Sequence, residues 1–166
     1  RLVDKRKTTV DAGVILGLGT RGIGARANVG MHMLSPGYMG RLQLVQELSA
    51  VTGLCMLMRK SVYEAVKGFD ATLSTGLYRD VDICLKTRAA GWRIVWTPVV
   101  SLMYLGNNIE ADRPPPSKVI LDEENERVLD RWRSRLSADP AYNRNLSHIR
   151  QDFQIETHTV PDWDPV

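Results

Sequence analysis

The pattern of apolar and polar positions divides the chain into short extended runs and four helical stretches. Ala12 to Leu18 is an apolar run that ends in glycines and predicts a strand. Residues 19–40 hold six glycines and one proline without helical periodicity, and read as a long irregular loop. Leu42, Val45 and Leu48 recur at helical spacing and predict a helix over 41–50. Val51 to Met58 is an apolar, Cys- and Met-containing run bounded by Arg59 and Lys60, the pattern of a buried strand. Ser61 with Glu64 makes a capping-box pattern for a short helix that Gly68 stops.

Asp80 follows the loop Ser74, Thr75, Gly76, where an N-cap belongs, and places Asp82 in the first turn of the next helix. The apolar side of that helix reads Val81, Cys84, Leu85, and it ends at Ala89, Ala90, Gly91. Arg93 to Trp96 predicts a strand closed by Pro98, and Val99 to Leu105 a further extended run. Pro114, Pro115 and Pro116 break the chain. Ser117 then caps the longest helix, which reaches about Leu136 with Ile120, Leu121, Val128, Leu129 and Trp132 along one partly periodic side. Residues 1–153 read as one α/β or α+β domain, and residues 154–166 as an extended or frayed tail.

Composition narrows the function classes. The 166 residues are enough for one domain with a sizeable core, and 43% hydrophobic with 25% charged content is ordinary for a globular protein. A net charge of +3, with basic residues scattered among acidic ones, lacks the basic stripe of a nucleic-acid binder. No apolar run approaches the ~20 residues of a membrane span, and no secretory leader pattern opens the chain. Cys55 and Cys84 lie in apolar segments and read as buried thiols of a reducing compartment. His32, His148 and His158 have no zinc spacing. The chain opens on Arg1 without an initiator Met, which predicts a piece of a longer polypeptide.

The acidic pair is the main candidate for chemistry. A helix N-terminus stabilises a carboxylate through free N–H groups and the macrodipole, and so can hold an ionised base at the rim of a site. The same placement also describes a plain helix cap. Two other motifs carry less. Gly17, Gly19 and Gly22 satisfy G-x-G-x-x-G, but no acid occurs between Asp11 and Glu47 and no helix follows directly, against dinucleotide binding. Tyr63 and Lys67 have the spacing of a dehydrogenase pair, yet follow the glycines too closely for that fold. Asn145, Leu146 and Ser147 fit a glycosylation sequon without any sign of secretion.

Four ordered blocks carry a more specific pattern: Val51 to Lys60, Val66 to Asp70, Asp80 to Lys86, and Ala90 to Pro98. Together with Pro36 to Gln43 and Asp139 to Leu146 they resemble the second half of family 2 glycosyltransferases, especially bacterial rhamnosyltransferase-like proteins that build surface polysaccharides. The resemblance runs from about Thr9 to Phe153. It implies the C-terminal part of a GT-A fold, a mixed sheet flanked by helices with a long C-terminal helix. The implied reaction is inverting: an acceptor hydroxyl attacks the anomeric carbon of a nucleoside-diphosphate sugar, with a base at the hydroxyl and a cation at the diphosphate.

In this resemblance Asp80 matches the catalytic base. Asp82, Tyr78, Arg79, Trp92 and Gly53 are the implied acceptor-side residues, Asp82 either orienting a hydroxyl or supporting the helix, while Trp96 reads as buried strand packing. Gly53 would permit close approach of substrate or of backbone. The complete enzyme is expected to use Mg2+ or Mn2+, a nucleoside-diphosphate sugar and a glycan or lipid-linked acceptor. The expected location is cytoplasmic, at the inner face of the bacterial membrane through that acceptor. No metal ligand is recognised in this chain. The metal-binding D-x-D and the nucleotide-binding half lie upstream in the family and are absent here. Arg79 replaces the family's usual Glu or Asn, and a cation there favours the ionised base while weakening it as a proton acceptor. Tyr104, Leu105 and Gly106 replace a Tyr-His-His block, and Arg26, Ala27 and Asn28 a His-x-His pair. The isolated chain is therefore expected to be inactive, either the acceptor-side portion of a transferase or a non-catalytic remnant that keeps the fold.

Overall fold

A computed structural model describes residues 1–106, 109–112, 114–150 and 153–156. The architecture is mixed α/β, with small sheets and a long C-terminal helix. Strands β1 (Leu2–Val3) and β2 (Thr9–Asp11) are antiparallel, and β1 also pairs in parallel with β7 (Leu102–Met103). Strand β3 (Val14–Leu16) pairs with β4 (Gly24–Arg26), and β5 (Gln46–Leu48) with β6 (Ile94–Trp96), both antiparallel. The helices are α1 (Lys60–Ala65), α2 (Gly76–Ala89), the single turn α3 (Ile109–Asp112) and α4 (Lys118–Leu136).

Strand β3 organises the core because side chains alternate across a strand. Val14 and Leu16 enter the main cluster with Val81, Ile83 and Leu85 of α2 and Val128 and Leu136 of α4. Ile15 points the other way, into a cluster with Leu18, Tyr142, Leu146 and Phe153. A third cluster joins Ala12, Leu42, Leu48 and Trp96, so the burial expected for Trp96 is observed. Gly17 closes the β3 end against α4. A Cβ there would lie 2.3 Å from the Leu136 carbonyl oxygen, and its φ of +70° also favours glycine. Gly22 N–H donates to Gly19 O at 3.0 Å, so the glycine pattern forms a turn before β4.

Several local expectations are corrected. The loop over 19–40 contains β4, because residues 24–26 find the open edge of β3. Residues 41–50 are not a helix: a 3₁₀ segment spans Tyr38–Gln43, Leu44 turns extended, and β5 pairs with β6. Long-range pairing overrides the helical spacing there, burying Leu42 and Leu48 while leaving Val45 exposed. Residues 51–58 form no strand, since the chain turns at Gly53 and Leu54, where Gly53 N–H bonds Asp80 of α2. Cys55 is consequently exposed, whereas Cys84 is buried as expected.

The helix starts also differ in part. Arg59, not Ser61, precedes α1, which has no side-chain cap, and Glu64 lies 3.7 Å from Lys60 instead. The stop at Gly68 holds, its N–H donating to Tyr63 O at 2.8 Å. Ser117 caps α4 as expected, its hydroxyl accepting from Ile120 N–H. The N-cap of α2 is Thr75, so Asp80 lies inside the helix and Asp82 beyond its first turn. Gln154 and Glu156 are tied to the body by backbone bonds with Ser147 and Asn145, and Phe153 stacks on Tyr38 at 4.9 Å. The rest of the expected tail, residues 157–166 with His158, lies outside the described residues.

Candidate functional site

The start of α2 is stabilised from outside its own sequence. Buried Glu124 of α4 accepts Ser74 N–H at 2.6 Å, Ser74 Oγ–H at 2.7 Å and Thr75 N–H at 2.9 Å. Burial raises the Glu124 pKa, but the hydrogen bonds from Thr75 and Ser74 outweigh it and hold the carboxyl at about 2. The anion at the N-terminus of α2 is therefore supplied by a neighbouring helix, in the place expected for Asp80.

Asp80 instead faces the turn at residues 53–54. It is only 5% exposed, and its Oδ2 accepts Gly53 N–H at 2.7 Å. A Cβ on Gly53 would lie 2.6 Å from Asp80 Oδ1, so the glycine allows close approach of this carboxylate to backbone. One turn further along α2, the thiol of Cys84 lies 3.5 Å from both Val51 N and Val51 O. Burial pushes that thiol up to about 12, so it stays protonated.

Asp82 serves the junction between α2 and α4. It is fully buried, and its Oδ1 accepts from Arg131 Nη1 at 2.8 Å and Trp132 Nε1 at 2.9 Å. Lys86 Nζ lies 2.8 Å from Oδ2, and Arg131 also bridges to Asp70 at 2.9 Å. Asp70 is held at about 2 by hydrogen bonds from Thr72 and Arg131. Asp82 thus has no exposed surface in this chain and ties α2 to α4.

Tyr78 is likewise buried against α4, its hydroxyl donating to Asn125 Oδ1 at 2.9 Å, and burial raises its pKa against the pull of Arg21. Arg79 sits half-buried over the Phe69 ring at 5.4 Å, a cation–π contact. Trp92 is 46% exposed and lines a cleft of about 610 Å³ with Arg59, Cys55, Trp96 and Asp11. Asp80 is not among its lining residues, although Cys84 is. The structure therefore brings Asp80 and Gly53 together, turns Asp82 and Tyr78 towards α4, and leaves Trp92 in a separate cleft.

Two acids escaped sequence reasoning. Glu124 falls between Leu121 and Val128 at core-facing spacing, a signal that an acid there has a buried partner. Asp11 precedes an apolar run and gives no such signal. It is 7% exposed, its Oδ1 has no hydrogen-bond partner, and burial raises its pKa despite Thr52, Arg26 and Gly13 nearby. Thr52 and Gly53 thus stand between Asp11 and Asp80. The carboxylates of α2 do not fit a divalent metal: one accepts backbone N–H, and the other is neutralised by Arg131 and Lys86. Among the described residues no group of three or more His, Cys, Asp or Glu could hold a metal ion. No helix among them is long and apolar enough to cross a membrane.

No family model and no solved structure matches the chain. It is similar to the "Uncharacterized protein y4gI" of Sinorhizobium fredii (strain NBRC 101917 / NGR234), with 36% identity over 157 residues. The match covers 92% of this chain and spans 16% of the length of that relative.

Proposed function

We propose that the chain is the acceptor-side portion of an inverting glycosyltransferase of GT-A fold, with Asp80 as the base. The observation that supports this reading is the contact between Gly53 and Asp80, which unites two separate blocks of the family resemblance at one turn. In the proposed reaction the acceptor O–H gives its proton to Asp80 as its oxygen bonds to the anomeric carbon. The bond to the nucleoside diphosphate breaks, and that group leaves with the electron pair. Gly53 N–H holds the carboxylate in place. Any Mg2+ or Mn2+ at the diphosphate would take its ligands from outside this chain.

The test uses a longer polypeptide in which a nucleotide-binding half precedes this segment. Transfer from nucleoside-diphosphate sugars to oligosaccharide and lipid-linked acceptors is expected, falling by about 10²–10⁴-fold with Asp80→Asn. The isolated chain is expected to show none. Turnover by the isolated chain, or an Asp80→Asn variant with full activity, would refute the assignment.

A second reading, a non-catalytic remnant used for interaction, is favoured by the burial of Asp80 and by its place inside α2. It predicts no transfer by the longer polypeptide with any sugar nucleotide, while the fold and its stability are retained.

A further inference from the structure

Arg79 is a cation without an acid. It is half-buried in α2, and among the described residues its guanidinium makes no hydrogen bond and no ion pair. Its Nε has neither an acceptor nor exposed surface, so the guanidinium presents its Nη groups. Partial removal of a charge from water without a counter-charge costs free energy, which a bound anion recovers. Cations on the neighbouring elements are already engaged. Lys86 donates to Gly68 O at 2.9 Å and lies 2.8 Å from Asp82. Arg131 bridges Asp70 and Asp82, and Lys60 lies 3.7 Å from Glu64. Lys67 is exposed just beyond α1.

The guanidinium sits on an aromatic platform built by the turn after α1. It lies 5.4 Å from the centre of the Phe69 ring, and Phe69 meets Tyr63 edge to face at 6.0 Å. Both rings reach water, Tyr63 being 41% and Phe69 37% exposed. Gly68 lets the Tyr63 ring lie on the turn. A Cβ there would sit 2.7 Å from that ring, and its φ of +60° also favours glycine. Lys86 and Arg131 hold the residues on either side of Phe69, through Gly68 O and Asp70. The α2–α4 junction thus fixes the platform in advance, and a preorganised site loses little entropy on binding.

These groups suit a sugar ring that carries a carboxylate. The C–H face of a pyranose packs on an aromatic ring while its hydroxyls stay in water beside the Tyr63 hydroxyl. A guanidinium fork matches a planar carboxylate with two parallel N–H donors. One unpaired guanidinium balances the single charge of a carboxylate, whereas a phosphomonoester carries more. An acidic peptide offers the charge without the flat C–H face.

We propose that Arg79, Phe69 and Tyr63 bind a uronic acid residue of an acidic glycan, its carboxylate on the Arg79 Nη groups and its ring on the aromatic platform. Binding does not depend on glycosyl transfer. Within the transferase reading, on which this sentence alone rests, the same site makes the acceptor an acidic glycan.

The test titrates the chain with tetragalacturonate at physiological ionic strength, where scattered surface charge is screened. The Arg79 Nε–H and Phe69 amide resonances are followed by NMR and are expected to shift together and saturate. Arg79→Gln should weaken binding by about tenfold or more. Arg79→Lys, which keeps the charge and loses the fork, should weaken it less. Thermal unfolding of each variant checks that the fold is retained. If Arg79→Gln does not fold, the unsubstituted chain decides: methyl-esterified tetragalacturonate, with the same rings and no charge, should bind about tenfold more weakly. Absence of any shift overturns the proposal, as does equal affinity for the ester. Equal affinity for galactose 1-phosphate or for a hexaglutamate peptide overturns it too, assigning the site to phosphate or to acidic protein. A loss in Lys67→Ala as large as that in Arg79→Gln overturns it in favour of diffuse charge attraction.

Discussion

The α2–α4 junction and the cleft face solve opposite problems. At the junction, buried acids meet named donors: Glu124 receives the start of α2, and Asp82 receives Arg131, Trp132 and Lys86. At the cleft, apolar side chains face solvent and residues 54–58 join no strand among the described residues. One region satisfies its polar groups within this chain, and the other leaves apolar side chains in water. Burial alone does not separate them, since Asp11 beside the cleft is as buried as Asp80 yet leaves Oδ1 without a hydrogen bond. The difference lies in whether each polar group has found its counterpart.

Breaking the junction should have the largest effect. Asp82→Ala strands the Arg131 and Lys86 charges and the Trp132 N–H beside a cavity, at an expected cost of about 3–5 kcal/mol in urea unfolding. Glu124→Ala should cost about 1–3 kcal/mol and speed amide exchange at Ser74 and Thr75, whose N–H groups lose their acceptor.

Acid titration probes the same bonds with a defined sign. The carboxyls of Glu124 and Asp70 lie at about 2 in the folded chain, below their ordinary values of 4.5 and 3.8. Their stabilisation is therefore complete above those ordinary values and is lost as pH falls towards 2. Denaturation midpoints should drop across that window, and less steeply in Glu124→Ala. Asp11 has the reverse sign: its raised pKa costs stability as pH rises above 3.8, so Asp11→Asn should gain stability at neutral pH relative to pH 3.8.

Gly53→Ala tests the turn between the two regions. Its Cβ would press on Asp80 Oδ1, with an expected cost of about 1–3 kcal/mol by thermal unfolding. The smallest effect is expected at the cleft. Leu57→Ser in the isolated chain should change stability by under about 0.5 kcal/mol, because the side chain is already in water. A cost comparable to that of Asp82→Ala would erase the contrast between the two regions.

Local signals were legible in the sequence wherever the determinant sits within a few residues. The β3 run, the Gly68 stop, the Ser117 cap and the extent of α4 all came from neighbouring side chains and backbone preferences. The closeness of Gly53 and Asp80 was legible only as two blocks of one resemblance, with no indication of which atoms meet. Asp80 and Asp82 looked like one acidic pair, but two steps along a helix turn side chains to nearly opposite faces. One therefore meets the turn at Gly53 and the other meets Arg131.

By itself the sequence determined an α/β chain with a long C-terminal helix and an acidic pair in the helix before the Ile94–Trp96 strand. Tertiary structure decided which acid caps α2, because Glu124 lies 50 residues from Ser74 and reaches it only when α4 packs on α2. It also decided that residues 46–48 pair with β6 while residues 51–58 form no strand among the described residues. Strand pairing depends on distant partners presenting a matching edge, and apolar content alone cannot say whether that edge is present.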